Sequence, residues 1–304
     1  MPVPIPFLRP RRAGPVSPRE ASEADLPAIE ELLRDSPRTY SGMGGAMREA
    51  LRDDIALAAW QGGELAGFAM AHRQGPQTAW LHGFGLAADV NTAGVGRPLL
   101  QALEERLGRE GVAWIAYMDE YTLSWLRHLV EEVGFRRQTR VVAYDALLRP
   151  PPDEGNRVVE VRPAGPADVP TIASLDQAAF GPLWAYSERV FHSVLGKVAC
   201  FLVAWQGSQP IGYVLGTLHG ENHAHIVRLA VHPQGQGQRI GVRLLAAAFR
   251  HFLAIGARAI SLNTQEENSR SQRLYRWFGF RPTGDEVGVW VREVTKDERP
   301  TTNA

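Results

Sequence analysis

Residues 231–245 read VHPQGQGQRIGVRLL and carry the clearest structural signal in the chain. An apolar run, His223–Val231, predicts a strand before them, and apolar residues at helical spacing from Leu244 onward predict a helix after them. A glycine-rich turn between a strand and a helix directs backbone N–H groups and the helix dipole at one point, and glycine lets a phosphate approach the main chain. The stretch indicates either a diphosphate-binding loop or a plain tight turn. It is not a P-loop, because no Lys-Ser or Lys-Thr pair ends it, and it lacks the βαβ surroundings of a dinucleotide fold.

The chain around this loop is an internal repeat. RPAGPADVPTI from Arg162 matches REASEADLPAI from Arg19 at an offset of 143, and LVAWQGSQPIGY from Leu202 matches LAAWQGGELAGF from Leu57 at an offset of 145. One two-residue insertion reconciles the two offsets, and the second offset still pairs Gly134-Phe135 with Gly279-Phe280. We therefore predict two copies of one fold, at 16–148 and 157–296. A proline-stiffened, exposed linker, 149–156, joins them, and tails 1–15 and 297–304 are predicted to be disordered.

The second copy shows the pattern of predicted elements most clearly. Strands are predicted at 158–161, 200–205, 211–218, 223–231, 259–263 and 288–294, and helices at 167–175, after the loop, and at 269–278. The runs at 200–205 and 211–218 are separated by a short polar turn and form a hairpin. The fold class is α+β, with a mixed, mainly antiparallel sheet flanked by helices.

Composition narrows the class of protein further. Lys plus Arg and Asp plus Glu both number 33 in 304 residues, so there is no net charge to hold a nucleic acid. The most apolar stretch, Leu244 to Ile260, is interrupted by charged residues too soon to span a membrane. Cys200 is the only cysteine, so no disulfide forms within the chain, and the proline-broken start does not resemble a signal peptide. We expect a cytoplasmic protein that binds neither nucleic acid nor membrane. The sequence leaves its oligomeric state open, and a monomer is compatible with it.

The loop and a second motif resemble the GCN5-related N-acetyltransferase (GNAT) family. The family's acetyl-CoA loop has the pattern V-x-P-x-x-[R or Q]-x-x-G-x-[G or A] followed by a Leu-Leu pair, and it is matched by Val231, Pro233, Gln236, Gly241, Leu244 and Leu245. The first glycine of the pattern falls on Arg239, a departure. The motif N-x-x-A-x-x-L-Y-x-x-x-G-F is matched by Asn268, Leu274, Tyr275, Gly279 and Phe280, with Ser271 in place of the alanine. The resemblance implies two tandem copies of an acyl-CoA N-acyltransferase fold.

Site residues follow from that resemblance. Acetyl-CoA as cosubstrate would contact Leu229, Ala230, Val231, Gln236, Gly237, Gln238, Arg239, Ile240, Gly241 and Asn268. Tyr275 stands where family members place the acid that protonates the departing thiolate, and His225 stands where histone-type members place a base. Phe180, Trp184 and Tyr186 lie where the family builds its acceptor pocket. Packing roles remain open for Tyr275, His225 and this aromatic trio. No metal is expected, because His223-Ala-His225 lacks further ligands nearby.

The first copy departs from the family at the reactive positions. Val130 occupies the place of Tyr275 and Trp80 that of His225, so this copy is predicted to be catalytically silent. A second CoA site, at Leu86, Asn91, Gly94, Val95 and Gly96, is possible. The leading hypothesis is an acetyl-CoA-dependent N-acetyltransferase whose second copy acts on a small-molecule or peptide amine. The alternatives are a non-catalytic acyl-CoA sensor and a tandem enzyme similar to mycothiol synthase.

Overall fold

The computed structural model describes residues 14–41, 47–119 and 123–294, so nearly all of both predicted tails lies outside the described residues. No helix of these residues is long and apolar enough to cross a membrane. In chain order the helices and strands are β1 Ser17–Glu20, α1 Leu26–Asp35, β2 Thr39–Ser41, α2 Met47–Asp53, β3 Ile55–Gln61, β4 Glu64–Arg73, β5 Thr78–Leu86, α3 Thr92–Arg109, β6 Trp114–Asp119, α4 Ser124–Glu132, β7 Arg136–Leu147, β8 Glu160–Pro163, α5 Val169–Trp184, α6 Glu188–Val194, β9 Cys200–Gln206, β10 Gln209–His219, β11 His223–Val231, α7 Ile240–Ala254, β12 Ala259–Gln265, α8 Ser269–Trp277 and β13 Arg281–Glu293. The predicted α+β class is confirmed.

The chain forms two compact units, and their limits differ from those of the sequence repeat. The first unit comprises residues up to Arg73, Gln77–Gln138 and the chain from Val289, whereas the second comprises Gln74–Pro76 and Thr139–Gly288. Most of β7 therefore belongs to the second unit, where it pairs antiparallel with β12, and the end of β13 belongs to the first. In the first unit the Val294 N–H donates to the Ala113 carbonyl at 2.9 Å. Part of the last strand of each repeat thus belongs to the unit formed mainly by the other repeat.

The sheet of the second unit places the glycine-rich loop at an opening between two strands. Strands β8 to β11 are antiparallel neighbours, and β11 then runs parallel to β12 over only four residue pairs, His223–Ile226 with Ala259–Leu262. Helix α7 covers one face through Leu244, Leu245, Phe249 and Phe252. Helices α5 and α6 cover the other face over Tyr213 and Val203. The loop and the start of α7 follow β11 past the point where the two strands stop pairing.

A bulge in β11 changes which residues face each core. Ile226 pairs with Gly216 and Arg228 with Leu215, so Val227 is an extra, unpaired residue. Ile226 and Leu229 consequently pack in the core under α7, while Arg228 points to the opposite face and reaches Asp176 of α5. Without the bulge, strict alternation would send Arg228 and Ile226 to the same face.

The first unit repeats this plan. Strands β1, β3, β4 and β5 are antiparallel neighbours, and β5 pairs parallel with β6 over Thr78–Leu81. A bulge falls at His82, the position 145 residues before Val227. Helix α3 occupies the place of α7. Its own Leu99, Leu103 and Leu107 are fully buried against the sheet. The predicted repeat is thus reproduced by two similar arrangements of strands and helices.

Candidate active site

A cavity of about 440 Å³ opens at the glycine-rich loop of the second unit. It is lined by nine of the ten residues predicted to contact the cosubstrate: Leu229, Ala230, Val231, Gln236, Gly237, Arg239, Ile240, Gly241 and Asn268. The tenth, Gln238, does not line the cavity, because its side-chain amide donates to the Gln234 carbonyl at 2.9 Å. Helix α5 contributes Ala179 and Phe180 to the opposite wall, and α8 contributes Arg270, Ser271 and Leu274. Residues distant in sequence are thus gathered around one opening.

The start of α7 gives the cavity its capacity to bind an anion. The helix begins at Ile240, and its first N–H groups, including those of Ile240 and Gly241, have no helical partner. The residue before it, Arg239, has left-handed backbone angles (φ 60°, ψ 21°), and its side chain makes no capping hydrogen bond. Gly241 places no side chain over this end, and its Cβ position lies at an ordinary contact distance, 3.4 Å, from Leu274 Cδ2. The arrangement fits a phosphate group at a helix N-terminus.

Asn268 has a local structural role beside this helix end. Its side-chain oxygen accepts a hydrogen bond from the Ser271 N–H at 3.1 Å and caps α8. That cap holds the first turn of α8 against the cavity, where Asn268, Arg270 and Ser271 all contribute to the lining. The asparagine of the family motif therefore fixes the helix that forms one wall.

Arg239 and Arg270 both line the cavity, and Arg270 is the one whose guanidinium bonds a side chain of the loop. The Arg239 guanidinium pairs with Asp153 and lies 5.5 Å from the Trp277 ring centroid, so it is directed away from the loop. Arg270 Nη1 donates to Gln236 Oε1 at 2.6 Å, beside Gly237. The sequence analysis missed Arg270. A positive charge in the first turn of α8 is unfavourable, because the N-terminal end of a helix is itself partly positive. That unfavourable placement is the sequence signal that could have revealed Arg270.

Tyr275 lies behind the cavity wall and not in it. It is 6% exposed and packs in the core with Tyr144 and Phe280, at ring distances of 6.5 and 5.9 Å. Burial raises the pKa of the Tyr275 hydroxyl to about 12, and a hydrogen bond with the Ser271 side chain opposes this rise. Ser271 itself lines the cavity. The Tyr275 hydroxyl therefore stays protonated at neutral pH, with the cavity-lining Ser271 as its polar neighbour.

His225 lies on β11 within the four residues that still pair with β12. Its Nδ1 is 2.9 Å from the Ser261 hydroxyl, and His223 Nε2 is 3.0 Å from the same oxygen. Burial, and then the charges of His219 and His223, lower the pKa of His225. His225 is not among the residues that line the cavity. Among the described residues, no three His, Cys, Asp or Glu side chains are arranged to hold a metal ion.

The predicted aromatic trio surrounds a buried ion pair. Phe180 lines the cavity, but Trp184 and Tyr186 do not. The Phe180 and Tyr186 rings each lie 3.9 Å from the Arg228 guanidinium carbon, and Arg228 forms two hydrogen bonds to Asp176, of 2.6 and 2.8 Å. Two of the three aromatics thus sandwich the guanidinium behind the wall.

The same ion pair fixes the main chain that follows α5. Arg228 Nη2 donates to the Trp184 carbonyl at 2.6 Å, and Asp176 accepts from the Tyr186 N–H at 2.7 Å. From the turn after β4, the Gln74 carbonyl accepts the Ser187 N–H at 2.8 Å. These hydrogen bonds tie the backbone of 184–187 to the ion pair and to the turn after β4. The sequence analysis did not identify Asp176 or Arg228 as site residues. The available signal was a charged residue at a core-facing position, Asp176 in the helical pattern of α5 and Arg228 in the strand pattern of β11.

The corresponding loop of the first unit is closed by its own side chains. Asn91 Oδ1 accepts the Gly94 N–H at 2.7 Å, so the start of α3 is capped. Arg38 donates to the Thr92 hydroxyl at 2.6 Å and to the Val90 carbonyl at 3.1 Å. Leu86 and Val95 are buried, and Gly96 packs so closely that a Cβ would lie 2.5 Å from Leu129 Cδ2. The predicted second CoA residues are therefore engaged in packing and capping.

Comparison with known proteins agrees with the fold. The family model described as acetyltransferase (GNAT) family matches residues 26–135 and 171–280, more than half of the chain. A Bacillus subtilis protein named as a candidate [ribosomal protein bS18]-alanine N-acetyltransferase is 27% identical over 118 residues, covering 38% of this chain and 77% of that protein. The chain belongs to the GNAT family of acetyltransferases, and its two repeats are two copies of that family's domain.

Solved structures agree at the level of the fold. A GCN5-related N-acetyltransferase from Sphaerobacter thermophilus superposes with a TM-score of 0.59 at 21% identity, over 92% of this chain and 96% of that one. A tandem GNAT protein from the clavulanic acid biosynthesis pathway gives a TM-score of 0.57 at 16% identity, over 93% and 100%. At such identities the likeness concerns the tandem fold alone.

Proposed function

We propose that the second unit binds acetyl-CoA and transfers the acetyl group to a primary amine by direct attack. The observation that carries the proposal is the uncapped N-terminus of α7, which opens into a cavity of about 440 Å³ lined by the loop, the end of β11 and the start of α8. Unpaired N–H groups at a helix N-terminus suit a diphosphate. The separation of β11 from β12 beyond Ile226 leaves room for an extended pantetheine arm.

Two side chains behind the cavity lining, Tyr275 and His225, are proposed to serve the two proton steps of the transfer. When bound, acetyl-CoA supplies a thioester whose carbonyl carbon the amine attacks, and the carbon–sulfur bond then breaks. Tyr275, protonated because its pKa is about 12, gives its proton toward the thiolate through the Ser271 hydroxyl. His225 is neutral at pH 7 because its pKa is lowered, so its imidazole accepts the proton released by the amine.

The acceptor is proposed to be a small-molecule or peptide amine that approaches along the wall formed by Phe180. Arg228 and Asp176 neutralise each other behind that ring, so the wall is apolar and carries no free charge. The name of the B. subtilis relative suggests a protein N-terminus as one acceptor class. A peptide beginning with alanine therefore belongs in the panel of amines to be tested.

A second candidate function is an acyl-CoA sensor without turnover. The burial of Tyr275 in the core, outside the cavity lining, favours it. Both candidates predict acetyl-CoA binding, and only the enzyme predicts that an amine is consumed.

The experiment that separates the two candidates is release of free thiol from acetyl-CoA across a panel of polyamines, amino acids, amino sugars and alanine-first peptides. The enzyme predicts thiol release with at least one amine and a product heavier by one acetyl group in mass spectrometry. Binding of acetyl-CoA without thiol release from any amine would contradict the enzyme and favour the sensor.

A further inference from the structure

Residues 153–156, here called the strap, are packed against the glycine-rich loop. The sequence predicts an exposed linker at 149–156, but all four strap residues are half-buried. Asp153 pairs with the Arg239 guanidinium, and Asp153 Oδ1 accepts the Gly155 N–H at 2.7 Å. Glu154 pairs with Arg243 at 3.4 Å and also with Arg250. The strap is thus anchored along the first three turns of α7.

The strap also forms hydrogen bonds with the loop backbone immediately before α7. The Asn156 side-chain amide donates to the Gln238 carbonyl at 3.1 Å, and its backbone N–H donates to the Arg239 carbonyl at 3.4 Å. Gly155 lies so close that a Cβ would be 2.8 Å from the Arg239 oxygen, and its own φ is +67°. Only glycine fits this approach.

These contacts converge on a strained residue. In the described residues Arg239 is the only residue other than glycine with a positive φ, 60°. A left-handed conformation is costly for a residue with a Cβ, and it persists only where surrounding contacts impose it. The contacts to Arg239 and Gln238 supplied by Asp153 and Asn156 are of this kind.

We infer that the strap positions the loop for acetyl-CoA and offsets the strain of an arginine at a position that favours glycine. The inference rests on the proposed acetyl-CoA site. Its consequence is that strap residues, which do not line the cavity, control affinity for the cosubstrate. A second consequence is that glycine at position 239 makes the loop independent of the strap.

The test is isothermal titration of the full chain with acetyl-CoA, together with hydrogen exchange of the peptide spanning 233–243. Gly155→Ala displaces the strap and is expected to weaken binding about tenfold and to speed exchange in the loop. With Arg239→Gly as the reference, whose own affinity is measured first, adding Gly155→Ala should weaken binding by no more than about twofold. Gly207→Ala is the matched control, because Gly207 also has a positive φ, 63°, but nothing lies near its Cβ position.

The outcomes separate the strap from the proposed function. If wild type does not bind acetyl-CoA, the proposed function fails, and the affinity claim for the strap fails with it. If wild type binds but Gly155→Ala behaves like Gly207→Ala in both titration and exchange, the strap does not position the loop. A loss of affinity from Gly155→Ala that is as large in Arg239→Gly as in wild type would contradict the strain argument.

Discussion

Tyr275 has two candidate roles, the acid that protonates the thiolate and a ring packed in the core. Tyr275→Phe removes one hydroxyl and almost no volume, so acetyl-CoA affinity and thermal stability should change little. If the hydroxyl donates through Ser271, kcat with an accepted amine should fall ~10²–10⁴-fold. Because the pKa of Tyr275 is about 12, the loss should be the same at every pH between 6 and 9. Tyr144→Phe, in the same core, is the control. Full turnover by Tyr275→Phe would refute the acid assignment.

Arg270 is the second residue whose role is testable alone. It is expected to bind a phosphate of the cosubstrate, so Arg270→Ala should weaken acetyl-CoA binding by about tenfold or more, most strongly at low salt. Arg273→Ala is the matched control, because Arg273 lies on the same helix, donates a hydrogen bond to the Ser269 hydroxyl at 3.5 Å and does not line the cavity. Equal affinities of the two variants in titration calorimetry would show that Arg270 makes no such contact.

Helices α3 and α7 contain corresponding glycines, Gly96 and Gly241, that have different surroundings. A Cβ on Gly96 would press into Leu129, whereas a Cβ on Gly241 finds ordinary contact distances to Leu274 and Val231. Gly96→Ala should therefore lower the free energy of unfolding by about 1–3 kcal/mol. Gly241→Ala should leave it unchanged or raise it by up to ~1 kcal/mol, because alanine favours the helix. Urea denaturation followed by circular dichroism measures both. Equal stabilities of the two variants would contradict this difference in packing.

Among the helices and strands around the site, β11, the loop and α7 were predictable from sequence. The contacts that these elements make with other parts of the fold were not. The glycine spacing and the periodic leucines placed β11, the loop and α7 correctly, because these patterns are local. The bulge at Val227 was not predicted, because it depends on the pairing with β10. For the same reason, the position of Arg228 against Asp176 could not be derived from alternation along β11.

For the whole molecule, the repeat predicted two similar domains but not their limits. Strands β7 and β13 have the alternation of side-chain faces expected of any strand. That alternation does not determine which strands β7 and β13 pair with. The assignment of 139–148 to the second unit and of the chain from Val289 to the first is decided by long-range contacts. The predicted limits of the repeat, 16–148 and 157–296, remain limits of sequence similarity.

The first unit carries a buried charge cluster that makes its stability depend on pH. Asp54 accepts from His72 Nδ1 at 2.6 Å and lies 3.1 Å from His82 Nε2. Burial raises the pKa of Asp54, but the hydrogen bond from His72 and the nearby His82 imidazole outweigh burial and lower it to about 2. A carboxyl with a lowered pKa stabilises the fold fully above its unfolded pKa of ~3.9, and this contribution is lost as the pH falls toward 2.

Asp54→Asn should remove that contribution. The difference in free energy of unfolding between wild type and Asp54→Asn should be about 2 kcal/mol near pH 5 and should shrink as the pH is lowered from 4 to 3. Urea denaturation at each pH measures the difference, with Asp285→Asn, an exposed carboxylate, as control. A difference that stays constant with pH would contradict the ion-pair account of this cluster.

The central claim is that one site per chain, at the start of α7, binds acetyl-CoA. Isothermal titration of wild type and of Gly241→Val tests it directly, because valine extends from a Cβ already in contact with Leu274 toward the lining of the cavity. The account predicts one site per chain for wild type and an affinity roughly 5–150-fold weaker for Gly241→Val. Two equivalent sites per chain, or an unchanged affinity in Gly241→Val, would contradict it.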